Sequence, residues 1–329
     1  MMRQTLGYRL LYLYVRWVFT ACYSRRFVVE GRERVPTDRP VLLVTTHQNN
    51  LPDALAVLFA SARNPVFVAR ADFFRPPLVA RIFRFLRMLP MYRADHGRAA
   101  IRSKLPATMR QLEAHLEAGG ACAIMAEGGS VPVREVRRLK KGWARLVLDV
   151  LPTAPDLAVV PVAIEYSDWQ DWGPDIRVRF GEPIAFAPVE YEEEVPRQLN
   201  AMNEQMHAAL AAMVEDDEAI AAWHRAGTTS RRGRDGLWRI LGAPVLLLIG
   251  LAVLPVILFA RYRAKADPRP DFKSTIEVVV MTVATPIWAL VLGLASTWAF
   301  GGLAFVLGAL AVPVLLWMAA RTTIAWTVR

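Results

Sequence analysis

A histidine and an aspartate stand close together in Thr46-His47-Gln48-Asn49-Asn50-Leu51-Pro52-Asp53. The apolar run 41–44 before them predicts a buried strand, so His47 leaves a strand end and Asp53 opens the helix that follows. Such a pair can work as base and orienter. The carboxylate holds one imidazole nitrogen and fixes the tautomer, while the other nitrogen takes a proton from an incoming hydroxyl. No serine or cysteine sits in a nucleophile-elbow sequence. Direct attack of a substrate hydroxyl on a thioester therefore fits better than an acyl-enzyme. The plainer reading makes Asp53 a helix cap and His47 a satisfied loop residue.

Three further blocks give the pair a context. Leu89-Pro90-Met91-Tyr92-Arg93 follows an apolar, basic helix and ends on an arginine. Glu127-Gly128-Gly129-Ser130 follows a strand, and its glycines allow close backbone approach. The cations Arg134, Arg137, Arg138, Lys140 and Lys141 come next, as a phosphate-binding run or as a solvated basic face. Val159-Val160-Pro161-Val162 lies on a later strand.

In order and spacing across residues 40–165, these blocks resemble the glycerolipid acyltransferase family of the lysophosphatidic-acid acyltransferase type. The resemblance implies that His47 is the general base on an acceptor hydroxyl and that Asp53 orients it. It implies that Arg93 binds acceptor phosphate, with Glu127, Gly128, Gly129 and Lys141 at the substrate. The donor it implies is a fatty acyl thioester on CoA or acyl carrier protein, with no cofactor and no metal. The acceptor is a lysophospholipid or glycerol phosphate. Backbone N–H groups near Gly128 and Gly129 would then face the oxyanion.

Two departures stand out. Five residues separate His47 from Asp53 where the family usually has four, and Gly129-Ser130 replace the Thr-Arg of its third block. The missing arginine leaves Arg134, Arg137 or Lys141 to supply the charge. It also keeps three alternatives open: a CoA-independent transacylase, an enzyme for another lipid acceptor, and a non-catalytic lipid-binding scaffold.

The elements that must position these residues follow an α/β pattern. Runs at 41–44, 66–69, 121–126, 158–164 and 176–180 predict strands, and 53–62 and 141–150 predict helices. Continuous apolar strands between helices imply a mixed sheet covered on both faces. Residues 191–224 predict one long, mostly polar helical region, and 225–236 a linker. The expected domains are a membrane-interfacial N-terminal helix over 1–25, an acyltransferase domain over 26–229 and a membrane module over 230–329.

Composition supports that division. The chain has 329 residues, 54% hydrophobic, with a net charge of +10. This excludes disorder and a disulfide-rich miniprotein, and the two cysteines, Cys22 and Cys122, are far apart. Residues 230–329 hold eleven Lys/Arg against four Asp/Glu, and the basic residues flank uncharged runs at 240–260 and 278–320. That pattern points to a phospholipid membrane and away from nucleic acid. It predicts an all-α transmembrane module: a re-entrant or spanning segment at 240–260, and a hairpin of 278–300 and 302–320. The positive loops place the catalytic domain on the cytoplasmic face. The N-terminal stretch 5–23 mixes Tyr, Trp and Arg with Leu and Val, as an interfacial helix does.

Overall fold

The computed structural model describes residues 6–169, 173–189, 191–229, 262, 273–300, 314 and 317. Seven strands are present: β1 (Arg26–Glu30), β2 (Val41–Thr45), β3 (Val66–Arg70), β4 (Met88–Met91), β5 (Ala121–Met125), β6 (Ala158–Tyr166) and β7 (Asp175–Phe180). They form one sheet in the order β1-β7-β6-β2-β5-β3-β4. Every neighbouring pair is parallel except β6 and β7.

The helices are α1 (Leu6–Trp17), α2 (Asn50–Ala60), α3 (Pro77–Phe85), α4 (Arg98–Glu117), α5 (Gly142–Val150), α6 (Val195–Ala211), α7 (Asp217–Thr229) and α8 (Lys273–Phe300). A π-helical turn, Val18–Tyr23, continues α1. Alternate residues of β2 point into two cores. Val41 and Leu43 pack with Phe19, Tyr23, α2 and Val278 of α8. Leu42 and Val44 pack with α4, α5 and α6. The sheet is thus mixed and covered on both faces, as its apolar strands require.

The five expected strands are all present. The two that were not expected, β1 and β4, are the edges of the sheet. Arg26 and Glu30 bound β1, and Pro90 interrupts the apolar run of β4. Edge strands tolerate charge and proline because one side needs no ladder partner. The expected helical region over 191–224 holds two helices, α6 and α7. At the break, Glu215 accepts from Arg177 at 2.6 Å and also pairs with Arg179, while its own N–H donates to Glu165 at 2.8 Å. The expected linker at 225–236 begins inside α7, which runs to Thr229 because Arg26 stacks 4.0 Å over Trp223 and bonds its carbonyl. Residues 230–236 lie outside the described residues.

The expected all-α transmembrane module is overturned. Among the described residues, no helix is long and apolar enough to cross a membrane. A run of uncharged residues records composition and is blind to what a helix packs on. Helix α8 carries Glu277 in its second turn, and Ser274, Glu277, Val278 and Met281 are buried. Its first turns form a packing surface on the α/β domain: Tyr14 Oη donates to Thr282 O at 2.9 Å. The expected segments 240–260 and 302–320 lie outside the described residues, save 314 and 317.

A buried ion pair ties the first strand to the last. Asp175 is fully buried and pairs with Arg25, whose side chain is 3% exposed, and with Arg26 and His224. Burial alone would raise the Asp175 carboxyl, but hydrogen bonds from His224 and Arg25 and the charges of Arg25 and Arg26 bring it below the ordinary carboxylate range. Its contribution is therefore present above the unfolded carboxylate pKa and is lost as pH falls through the lowered folded value. Asp175→Ala should cost about 3 kcal/mol at neutral pH, because it strands a buried arginine. Urea unfolding at pH 7 and pH 3 checks this, with the gap between wild type and variant narrowing in acid.

Candidate active site

The candidate site lies at the carboxyl ends of β2 and β5, where the chain switches direction across the sheet. From β2 the chain runs through α2 to β3 on one side, and from β5 it runs through α5 to β6 on the other. Loops leaving two such strands diverge and open a crevice. His47 leaves β2, and Glu127 leaves β5 beside it.

Asp53 is fully buried in the first turn of α2. Its Oδ2 accepts from His47 Nδ1 at 2.9 Å and from the N–H groups of Gln48 and Asn49, each at 2.8 Å. Its Oδ1 accepts from Tyr166 Oη at 2.7 Å. With Nδ1 donating to the carboxylate, the proton of a neutral His47 resides there and Nε2 carries the lone pair. Among the described residues, Nε2 makes no hydrogen bond. Tyr166 is buried, and burial followed by the Asp53 charge pushes its phenol well above the ordinary range, so it remains a donor.

Glu127 faces inward rather than into the crevice. Its Oε1 accepts from His47 N at 3.1 Å, and its Oε2 pairs with Arg137 Nε at 2.6 Å. Burial pushes its carboxyl up, and the Arg137 charge and the His47 N–H only partly offset this. Arg137 also donates to Gly129 O and, at 3.4 Å, to His47 O. Val131 N–H donates to His47 O at 3.2 Å. The third block thus clamps the backbone that carries His47.

Gly128 adopts φ +77°, and a Cβ there would lie 2.8 Å from Lys140 Cγ, so the turn requires glycine. Its N–H donates to Met125 O at 3.2 Å and is committed to that turn. A Cβ on Gly129 would lie 3.7 Å from a terminal nitrogen of Arg93, which places the Arg93 guanidinium against this loop. Among the described residues, that guanidinium makes no hydrogen bond or ion pair. Desolvation and the neighbouring Arg70 lower its pKa, and the nearby Asp95 carboxylate only partly offsets this.

Two other cations near the third block are engaged elsewhere or exposed. Arg134 pairs with Asp217, donates to Tyr166 O at 2.8 Å and lies 4.5 Å over the Trp169 ring. Lys141 is exposed at the start of α5. The structure therefore brings His47, Asp53, Glu127, Gly128, Gly129 and Arg93 together, and leaves Lys141 facing solvent. Cys122 is buried on β5 with its thiol pushed up to about 12 by desolvation, which makes it a poor nucleophile. Among the described residues no group of His, Cys, Asp and Glu could hold a metal ion.

Sequence reasoning missed Tyr166, the pairing of Arg137 with Glu127, and Arg70. Tyr166 ends β6, and its meeting with Asp53 depends on β6 lying beside β2. No local spacing records that. Arg70 ends β3, a strand whose apolar run draws attention to packing.

Residues 26–165 match the family model described as Acyltransferase. That segment contains His47, Asp53, Arg93 and Glu127, and the match supports an acyltransferase domain there. Among solved structures, the chain is similar to the 1-acyl-sn-glycerophosphate (LPA) acyltransferase PlsC from Thermotoga maritima. Identity is 21%, with 63% of this chain and 81% of that one covered, and the TM-score is 0.46. No curated protein matches.

Glu127→Ala should destabilise the fold by about 2 kcal/mol, because it leaves Arg137 unpaired and His47 N–H without its acceptor. Glu127→Gln keeps an acceptor for His47 N–H and should lose roughly half as much. Urea midpoints of the two variants check the order.

Proposed function

We propose that this chain is an O-acyltransferase. It moves a fatty acyl group from a thioester, on CoA or acyl carrier protein, to the hydroxyl of a lysophospholipid or glycerol phosphate. The observation that carries the reading is the Nδ1–H of His47 held on a carboxylate that is itself fixed by three other donors. That arrangement leaves Nε2 with the lone pair that can take a proton.

In this reading, His47 Nε2 takes the proton from the acceptor hydroxyl as its oxygen bonds to the thioester carbonyl carbon. The tetrahedral intermediate collapses with cleavage of the C–S bond. The leaving thiolate takes the proton from the imidazolium and departs as a thiol. Asp53 stabilises the imidazolium without itself becoming protonated. With the Gly128 N–H committed to its turn, donation to the oxyanion falls to Gly129. The unpaired guanidinium of Arg93 binds the acceptor phosphate, with Arg70 beside it. Arg70 itself pairs with Asp72 at 2.8 Å and Asp95 at 3.0 Å, so Arg93 is the guanidinium left to meet a phosphate.

Acceptor and product of such a reaction are lipids, and the surface of the protein suits them. Leu6, Leu10 and Leu13 of α1 and Leu78, Ile82 and Phe85 of α3 are exposed, and Tyr8 meets Phe85 edge to face at 5.9 Å. Arg9, Arg16, Arg81 and Arg84 lie on the same two helices. Exposed apolar side chains beside arginines on these two helices suit docking on anionic headgroups, which supports the reading that the protein works at a phospholipid surface. Flotation of the protein with anionic vesicles, lost on Leu10→Asp with Ile82→Asp, checks this; retention by the double variant would rule it out.

The activity test offers labelled acyl-CoA, acyl carrier protein and phospholipid donors with a panel of lysolipids. His47→Ala should abolish transfer. Arg93→Ala should raise KM for a phosphate acceptor about 30-fold, the loss of one charge-assisted contact, while changing KM for an uncharged lysolipid little. Full activity in His47→Ala would reject the mechanism.

A further inference from the structure

Helix α8 lies outside the segment that matches the acyltransferase family, yet it is fastened to the loop between His47 and Asp53. Ser274 Oγ donates to Asn49 Oδ1 at 2.5 Å, a contact buried on both sides. Leu51 N–H donates to Thr275 Oγ1 at 3.2 Å. Asn49 is held from two further directions. Its Nδ2 donates to Trp169 O at 3.2 Å, and its backbone N–H donates to Asp53 Oδ2 at 2.8 Å. Gln48 Oε1 accepts from Trp169 Nε1 at 3.2 Å. Tyr23 closes the cluster from the N-terminal side. Burial, followed by the nearby Glu277 carboxyl, raises its phenol, which faces Ser274 and Asn49.

These contacts fall on the stretch where the chain has one residue more than the family it resembles. A longer loop has more conformations to lose on ordering. Asp53 can hold the N–H groups of Gln48 and Asn49 only while the backbone from 48 to 51 keeps its present path. Ser274 and Thr275 fix that path at two points, through the Asn49 side chain and the Leu51 N–H.

We propose that α8 is a positioning element of the acyl-transfer site. Its first-turn hydroxyls hold the 48–51 loop so that Asp53 stays saturated with donors and His47 keeps its orientation. Ser274 and Thr275 touch no substrate and act through Asn49 and Leu51. The proposal rests on the reading of His47 as the base.

The test uses the full chain, with the double variant Ser274→Ala/Thr275→Val and the conservative pair Ser274→Thr/Thr275→Ser. The first should lower kcat about tenfold with KM for donor and acceptor within about twofold, the signature of a misplaced base rather than lost binding. The conservative pair, which keeps both hydroxyls, should recover most of the rate. Hydrogen exchange at the Gln48 and Asn49 amides should quicken in the first variant and not in the second. Wild-type kcat in the folded double variant overturns the proposal, and so does an equal loss in the conservative pair. If the double variant does not fold, Thr275→Val alone removes only the Leu51 contact. It should show a smaller fall in kcat, and an unchanged rate overturns the proposal. His47→Ala separates the two claims. Activity in His47→Ala defeats the base assignment, whereas a dead His47→Ala beside a fully active double variant defeats only the role of α8.

Discussion

A carboxylate with no exposed surface needs hydrogen-bond donors on its oxygens or it forces the fold to reorganise around it. Asp53 is such a group, and much of the site follows from satisfying it. The first turn of α2 delivers it beneath the loop that leaves β2. Two backbone N–H groups, one imidazole and one phenol then converge on its two oxygens. Any path of the loop that lost one of these donors would leave part of a buried charge unpaired. The orientation of His47 is therefore a by-product of solvating Asp53 from within the protein.

The same logic operates one strand away. Glu127 is buried at the end of β5 and finds its donors in His47 N–H and the Arg137 guanidinium. The two carboxylates hold the histidine from opposite sides, one through the ring and one through the backbone. Arg93 is the contrasting case. It reaches the same loop, yet among the described residues its guanidinium makes no hydrogen bond or ion pair, and the nearby Asp95 is held by Arg70. Within a few residues the protein supplies buried carboxylates with donors and leaves one guanidinium without an ion pair among the described residues.

The tertiary fold supplies the partners. Tyr166 reaches Asp53 because β6 lies beside β2 in parallel register, Thr45 opposite Val162. Ser274 and Thr275 reach the loop because α8 packs across the N-terminal π turn and α2. Such groups contribute through three-dimensional adjacency, which explains how a helix distant in sequence reaches the loop between His47 and Asp53.

Short-range patterns were enough for much of this protein. Apolar runs located the five inner strands, and the order of the blocks from His47 to Pro161 pointed to acyl transfer, since these depend on residue type and local spacing. The edge strands β1 and β4 escaped because charge and proline are tolerated where one side of a strand has no partner. The roles of Glu127 and Arg137 escaped because a carboxylate in a glycine-rich turn looks the same whether it faces substrate or the protein interior. The expected transmembrane module failed for a related reason. Hydropathy reports how apolar a helix is and not what it rests on, and only the tertiary structure decided that the first turns of α8 rest on the loop between His47 and Asp53.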